Sequence, residues 1–132
     1  MTSTEKTALM SIRAQIALVG QLRAQAGDAA LTDLRSPSMD MPRSGGFSGG
    51  LERRLIQQEH LQRMLEREEA ALRQLEQHVR AAMAKMRPEL YAFCTFYYLS
   101  GMSLPQTQAV LDRSERQCRR YRQELEQMCE GN

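Results

Sequence analysis

The chain has 132 residues, 18 Lys plus Arg against 16 Asp plus Glu, and a net charge of +2; 42% is apolar but only 5% is aromatic, and Trp is absent. That length accommodates one ordinary domain, or a small domain with an extended helical piece, and excludes a large enzyme. Near-balanced charge gives no general attraction to nucleic acid, so such a function must come from where the charges sit. Abundant Leu, Ala, Gln, Glu and Arg favour helices over strands and predict an all-α fold. Cys94, Cys118 and Cys129 are odd in number and form no CxxC pair, with only His60 and His78 as imidazole partners. They read as small buried hydrophobes or incidental thiols of a reducing cytoplasm, with no disulfide framework, metal or cofactor expected. No basic region precedes an apolar run at the start, and no segment approaches the roughly 20 apolar residues needed to span a bilayer. The expectation is a cytoplasmic protein with no membrane partner.

The first predicted element is an amphipathic helix over residues 4–26, where Leu9, Ile12, Ile16, Val19, Leu22 and Ala26 recur at intervals of three and four. Thr2 with Glu5 fits a capping box, and Gly27 is the expected stop, which gives a segment 1–27. Residues 28–50, DAALTDLRSPSMDMPRSGGFSGG, hold two prolines, two Gly-Gly pairs and four serines in place of periodic apolar positions, and read as a linker.

Residues 51–86 contain neither Pro nor Gly, and Leu61, Leu65, Leu72, Leu75, Val79, Ala82 and Met86 form a heptad seam with Glu68 filling its gap. Carried backward, that seam meets Gln58 and Arg54 before Leu51 and is polar there. The predicted coiled-coil-like helix would be roughly 54 Å long at 1.5 Å per residue. Glu69 with Arg73 and Glu76 with Arg80 have the supportive i to i+4 spacing. Such a helix must be covered by the N-terminal helix folded back, by a second copy of the chain, or by both; a homodimer through the long helix is the expected assembly.

Pro88 breaks the long helix and opens residues 87–132. In PELYAFCTFYYLS, Leu90, Phe93, Cys94 and Tyr97 share a stripe and predict a core helix ended by Gly101. Ser103 with Gln106 forms a capping box for a short helix over 104–111, Asp112 and Arg113 make the turn, and Ser114 with Gln117 starts a third helix. Two short helices joined by a tight turn are the helix-turn-helix pattern. On the third helix Cys118, Tyr121, Leu125 and Met128 face inward, while Arg116, Arg119, Arg120 and Gln123 face out, with Arg122 at the boundary. Residues 87–132 carry six Arg against six acidic residues, but residues 113–123 hold five Arg and one Glu. The charge is gathered at the turn and the early third helix.

That arrangement suits double-stranded DNA. Arg can bond guanine O6 and N7, Gln can bond adenine N6 and N7, and further guanidiniums neutralise phosphates. Arg116, Arg119, Arg120 and Gln123 are the candidates for bases or adjacent phosphates. Ser103, Gln106, Arg113, Ser114 and Arg122, with Gln117 at the helix start, are the candidates for positioning the backbone.

The segment YYLSGMSLPQTQAVLDRSERQCRRYRQELEQM resembles the sigma-factor region 4 helix-turn-helix, and more closely the C-terminal part of ArpU/RinA-like regulators of phages and prophages. The similarity lies in YYL before the Gly, SLPQ opening the second helix, VLDRS across the turn, and CRRYRQEL, with Cys118 in place of a usual Val. The upstream SPSMDMPRSGG resembles a short linker between two helices of related small phage proteins. Thr107 and Gln108 depart from the pattern, standing where an apolar residue and Ala are usual, so the second helix is expected to have a poorer inner face. The resemblance implies a transcriptional regulator of phage or prophage promoters without catalytic activity.

As a dimeric regulator, the chain would use the long helix to space two recognition helices about 34 Å apart, one turn of B-DNA. The other reading is a protein-interaction module, whose long helix docks on RNA polymerase or another phage protein while the helix-turn-helix is only structural. No nucleophile, base and orienting group stand at recognisable spacing for catalysis.

Overall fold

The computed structural model describes residues 1–35 and 47–130, with side chains over 1–27 and 50–130, and the regular secondary structure among the described residues is helical, with no strand. Five α-helices follow in order: α1 (Ser3–Arg35), α2 (Phe47–Met83), α3 (Pro88–Cys94), α4 (Leu104–Leu111) and α5 (Glu115–Glu130), with α3 running on into a π-helical turn over Thr95–Leu99. No helix among the described residues is long and apolar enough to cross a membrane.

The capping box at the start of α1 forms as its residues require: Thr2 N–H donates to Glu5 Oε1 at 2.8 Å and Glu5 N–H to Thr2 Oγ1 at 3.1 Å. Gly27 does not end the helix, which continues to Arg35. Glycine stops a helix by adopting positive φ, and among the described glycines only Gly101 does so. In a right-handed conformation Gly27 costs only about 1 kcal/mol relative to Ala, and the Ala- and Leu-containing stretch beyond it carries the helix on. The expected linker 28–50 is thus helical at both ends, through Arg35 and from Phe47, and its centre lies outside the described residues. At its other end α2 stops at Met83, tightening through bonds such as Met86 N–H to Met83 O at 3.0 Å. Arg87 is extended at φ −67°, ψ 157°, because the ring of Pro88 disfavours a helical residue before it.

The residues divide into two compact units, one of Met1–Ala17 with Ala71–Asn132 and one of Leu18–Ala70. In the first, Leu9 and Ile12 of α1 and Val79 and Met83 of α2 are fully buried in one core with Phe93, Cys94, Cys118 and Leu125. Phe93 is its hub, stacked on Tyr97 with centroids 5.0 Å apart and tilted against Tyr121 at 5.8 Å. The π turn adds a residue to the repeat, so that Tyr98 as well as the expected Tyr97 points inward. The turn is closed by Ser100 N–H to Thr95 O at 3.1 Å.

In the second unit, Val19 and Leu22 of α1 and Leu65 of α2 are buried. Arg23 there places Nε and Nη2 on Glu69 Oε2 at 3.0 and 2.8 Å. The i to i+4 spacing predicts Glu69 with Arg73 on its own helix; the forked guanidinium of Arg23 takes it across helices instead, through two charge-assisted bonds. The folded-back N-terminal helix therefore covers part of the seam. Toward its N-terminal end the seam opens as its polar register requires: Gln58 is half-buried, and Arg54 and Leu51 are exposed.

Candidate nucleic-acid interface

The α4 and α5 helices are each started by the side chains that the sequence marks. Ser103 Oγ accepts from Gln106 N–H at 3.3 Å and Gln106 Oε1 from Ser103 N–H at 3.0 Å. At α5, Ser114 Oγ accepts from Gln117 N–H at 3.2 Å and Gln117 Oε1 from Ser114 N–H at 3.3 Å. Asp112 ends α4 in the left-handed region at φ 53°, ψ 47°, a conformation that Asp tolerates better than most residues. Arg113 N–H then returns to Gln108 O at 3.2 Å.

Thr107, expected to weaken the inner face of α4, is wholly buried there. Its hydroxyl donates to Ser103 O at 2.9 Å, so the polar atom is satisfied within its own helix and only the methyl faces the core. Gln108 is half-buried.

Cys118, Tyr121 and Leu125 hold the inner face of α5 as expected, but Met128 is 38% exposed and the half-buried Cys129 packs on the core in its place. At about 100° per residue, Cys129 turns only about 40° from Leu125 whereas Met128 turns about 60° the other way. Burial pushes the Cys94 thiol up to about 12, with Cys129 adding to the effect, and burial likewise raises Cys118 and Cys129. Among the described residues, no three His, Cys, Asp or Glu side chains come together as a metal site. On its flank the helix is anchored by Arg87, whose Nη1 and Nη2 each reach a Glu124 carboxylate oxygen at 2.8 Å.

With its inner face held, α5 presents Arg116, Arg119, Arg120 and Gln123 to solvent, and these line one open recess with Ser114 and Glu115. Five sequence-marked residues therefore converge: Ser114, Arg116, Arg119, Arg120 and Gln123. The remainder are placed differently. Ser103 and Gln106 cap α4, and Gln117 caps α5. Arg113 lines a separate recess with Pro88, Glu89, Ala92, Leu111 and Tyr121. Arg122 is half-buried; the neighbouring Tyr97 side chain raises its pKa above the ordinary value, and Glu126 lies 3.9 Å away.

Two features have no counterpart among the sequence expectations. Glu115 enters the recess and forms an ion pair with Arg119, a pairing its i to i+4 spacing signals. Arg13, which in sequence only interrupts an apolar stripe, reaches the carbonyls of Tyr97 and Met102, at 2.6 and 2.8 Å. No local pattern announces an interaction 84 and 89 residues away.

No family model matches the chain, and neither does any characterised protein or solved structure.

Proposed function

We propose that the chain is a sequence-specific double-stranded DNA-binding regulator of transcription, with α4, the turn and α5 as a helix-turn-helix and α5 as its recognition helix. The observation that carries this reading is the one-sided α5: Cys118, Tyr121 and Leu125 are buried while Arg116, Arg120 and Gln123 stand exposed on the opposite face. A helix fixed by its apolar side and basic on the other fits a major groove, with guanidiniums for guanine and phosphate. The capping at Ser114 leaves the start of α5 facing the same recess, where helix N–H groups attract phosphate. The resemblance to ArpU/RinA-like regulators agrees with this reading and extends it to a cytoplasmic phage or prophage protein acting without cofactor or catalysis. The test is a salt titration of duplex binding by the full chain. Log affinity should fall steeply and linearly with log salt, and Arg116→Ala with Arg120→Ala should weaken binding at every salt concentration; flat salt dependence removes the proposal.

A second reading has its own observation. Leu51, Leu55 and Ile56 at the start of α2 are 49%, 49% and 65% exposed. That apolar surface favours docking of α2 on another chain, either a second copy or a protein such as RNA polymerase. Leu55→Glu with Ile56→Glu should then abolish self-association or partner capture and leave intrinsic DNA affinity intact. A chain that captures its partner and shifts no duplex would make interaction the primary function.

A further inference from the structure

We propose that the solvent face of α5 is divided into a DNA-reading sector, in which Arg116 and Gln123 set base preference and Arg120 holds phosphate, and a flank whose arginines are neutralised within the helix and take no phosphate. The proposal rests on the DNA-binding reading above and refines which residues perform it.

The division follows from helix geometry and from the ion pairs. With Arg116 as origin and about 100° per residue, Gln123 lies at about −20° and Arg120 at about +40°, whereas Arg119, Glu126, Glu115 and Arg122 fall between about −60° and −120°. The buried Cys118, Tyr121 and Leu125 centre near 170°, so Arg116 and Gln123 stand at the outermost line of the helix. The flank contains two i to i+4 ion pairs, Glu115 with Arg119 and, more loosely at 3.9 Å, Glu126 with Arg122, and Tyr97 favours the charged form of Arg122. Arg116 and Arg120 have no ion-pair partner among the described residues and are exposed.

The consequences for DNA differ by sector. An arginine already paired with a carboxylate displaces few condensed counterions when it approaches a phosphate, so it adds little to salt dependence. An unpaired arginine adds its full share. The outermost side chains reach deepest into a groove, where Arg recognises guanine and Gln recognises adenine. Arg116 and Gln123 are seven residues apart, about 10 Å along the axis, which matches roughly three base steps of B-DNA. The preferred site on this account contains a guanine and an adenine at about that separation.

The experiment uses the full chain and its Arg119→Ala, Arg120→Ala, Gln123→Ala and Glu115→Gln variants. A site is selected from random duplexes, then affinity is measured by fluorescence anisotropy across a salt series. Arg120→Ala should weaken binding to all duplexes alike and lower the slope of log affinity against log salt by about one. Arg119→Ala should leave that slope unchanged. Glu115→Gln, which releases Arg119, should steepen it by about one and raise affinity for non-cognate duplex. Gln123→Ala should keep the slope and lose roughly 5- to 150-fold preference at a single base position. If Arg119→Ala flattens the slope as much as Arg120→Ala, or Gln123→Ala retains the wild-type preference, the sector division is overturned while DNA binding stands. If the unmodified chain selects and binds no duplex, the DNA reading itself falls, and the proposal with it.

Discussion

Arg13 lies over the ring of Tyr97, its guanidinium carbon 3.8 Å from the ring centroid, while the same side chain donates to the Tyr97 carbonyl. One cation thus satisfies the π face of a core aromatic and a carbonyl at the end of its helix, and a second bond from Nη1 reaches the Met102 carbonyl. Cations suit this place because the last carbonyls of a helix are unpaired and partially negative. Arg13→Ala should destabilise the chain by about 2–4 kcal/mol, because it removes two charge-assisted hydrogen bonds and a cation–π interaction at once. Arg13→Lys should recover part of that. Urea unfolding followed by circular dichroism measures both, and a destabilisation under about 0.5 kcal/mol for the alanine variant would show the guanidinium to be inert there.

Gly101 is the next point of dependence. It adopts φ +70°, and a Cβ there would meet Ile16 Cγ2 at 3.0 Å. Gly101→Ala should cost about 1–2 kcal/mol for the left-handed backbone, with a further steric contribution from Ile16. Combining it with Ile16→Ala should be less damaging than the sum of the two single changes. Additive effects in that double-mutant cycle would dismiss Ile16 as a source of strain.

Thr107 should tolerate valine. Ser103 O already accepts from the Thr107 backbone N–H at 3.0 Å, so replacing the hydroxyl with a methyl orphans no acceptor and adds an apolar group to a buried site. Thr107→Val is expected within about 1 kcal/mol of the parent, whereas Thr107→Ala should cost more, about 1–2 kcal/mol, through poorer packing. Thermal unfolding ranks the pair, and valine proving the worse of the two would mean that the hydroxyl has a further partner.

The buried thiols give the chain an alkaline limit. Burial pushes Cys94 up to about 12, above the value of about 8.5 for an exposed thiol, so between those values the unfolded chain releases a proton that the folded chain keeps. The contribution is fully present below about pH 8.5 and is lost as pH rises toward 12. Cys94→Ala should flatten this decline relative to the parent, although it costs packing at every pH. In the folded chain a thiol reagent should modify half-buried Cys129 before Cys94 or Cys118, and Cys94 only as fast as the chain opens.

Glu5 gives a limit at the other end. The hydrogen bond from Thr2 N–H holds its carboxyl below the usual carboxylate range, with burial opposing and Lys85, 3.4 Å away, assisting. The stabilisation is present above the ordinary carboxylate value of about 4.3 and is lost as pH falls through the lowered folded value. Glu5→Gln should reduce the slope of stability against pH in that acid window; an unchanged slope would mean that other carboxylates set it.

These expectations also show which features could be read locally. The capping pairs at Thr2 and Glu5, Ser103 and Gln106, and Ser114 and Gln117 all form, because a cap needs only residues three apart. The buried face of α5 is legible through Leu125, where helical period alone decides orientation, and slips at Met128, where two neighbouring angles compete for the last core position. Gly27 misleads because glycine permits a stop without imposing one. The π turn is hidden because Thr95–Leu99 looks like any aromatic helical stripe until Tyr98 finds room in the core. At the recess, residue types mark Arg116, Arg120 and Gln123, but the approach of Arg119 to Glu115 and of Arg122 to Tyr97 and Glu126 depends on which side chains meet in three dimensions.

The shared core of Met1–Ala17 with the C-terminal helices also governs how the molecule can be cut. Leu9 and Ile12 are walls of the chamber that holds Phe93 and Leu125, so a fragment beginning at residue 87 would expose that apolar floor to water. On the ribosome, the first helix emerges long before its principal neighbours and must keep its apolar stripe out of other associations until they follow. Completing that core joins residues more than 80 positions apart in sequence, a non-local contact of the kind that slows folding, and reporters for its assembly belong on Arg13 and Ile12 as much as on α5.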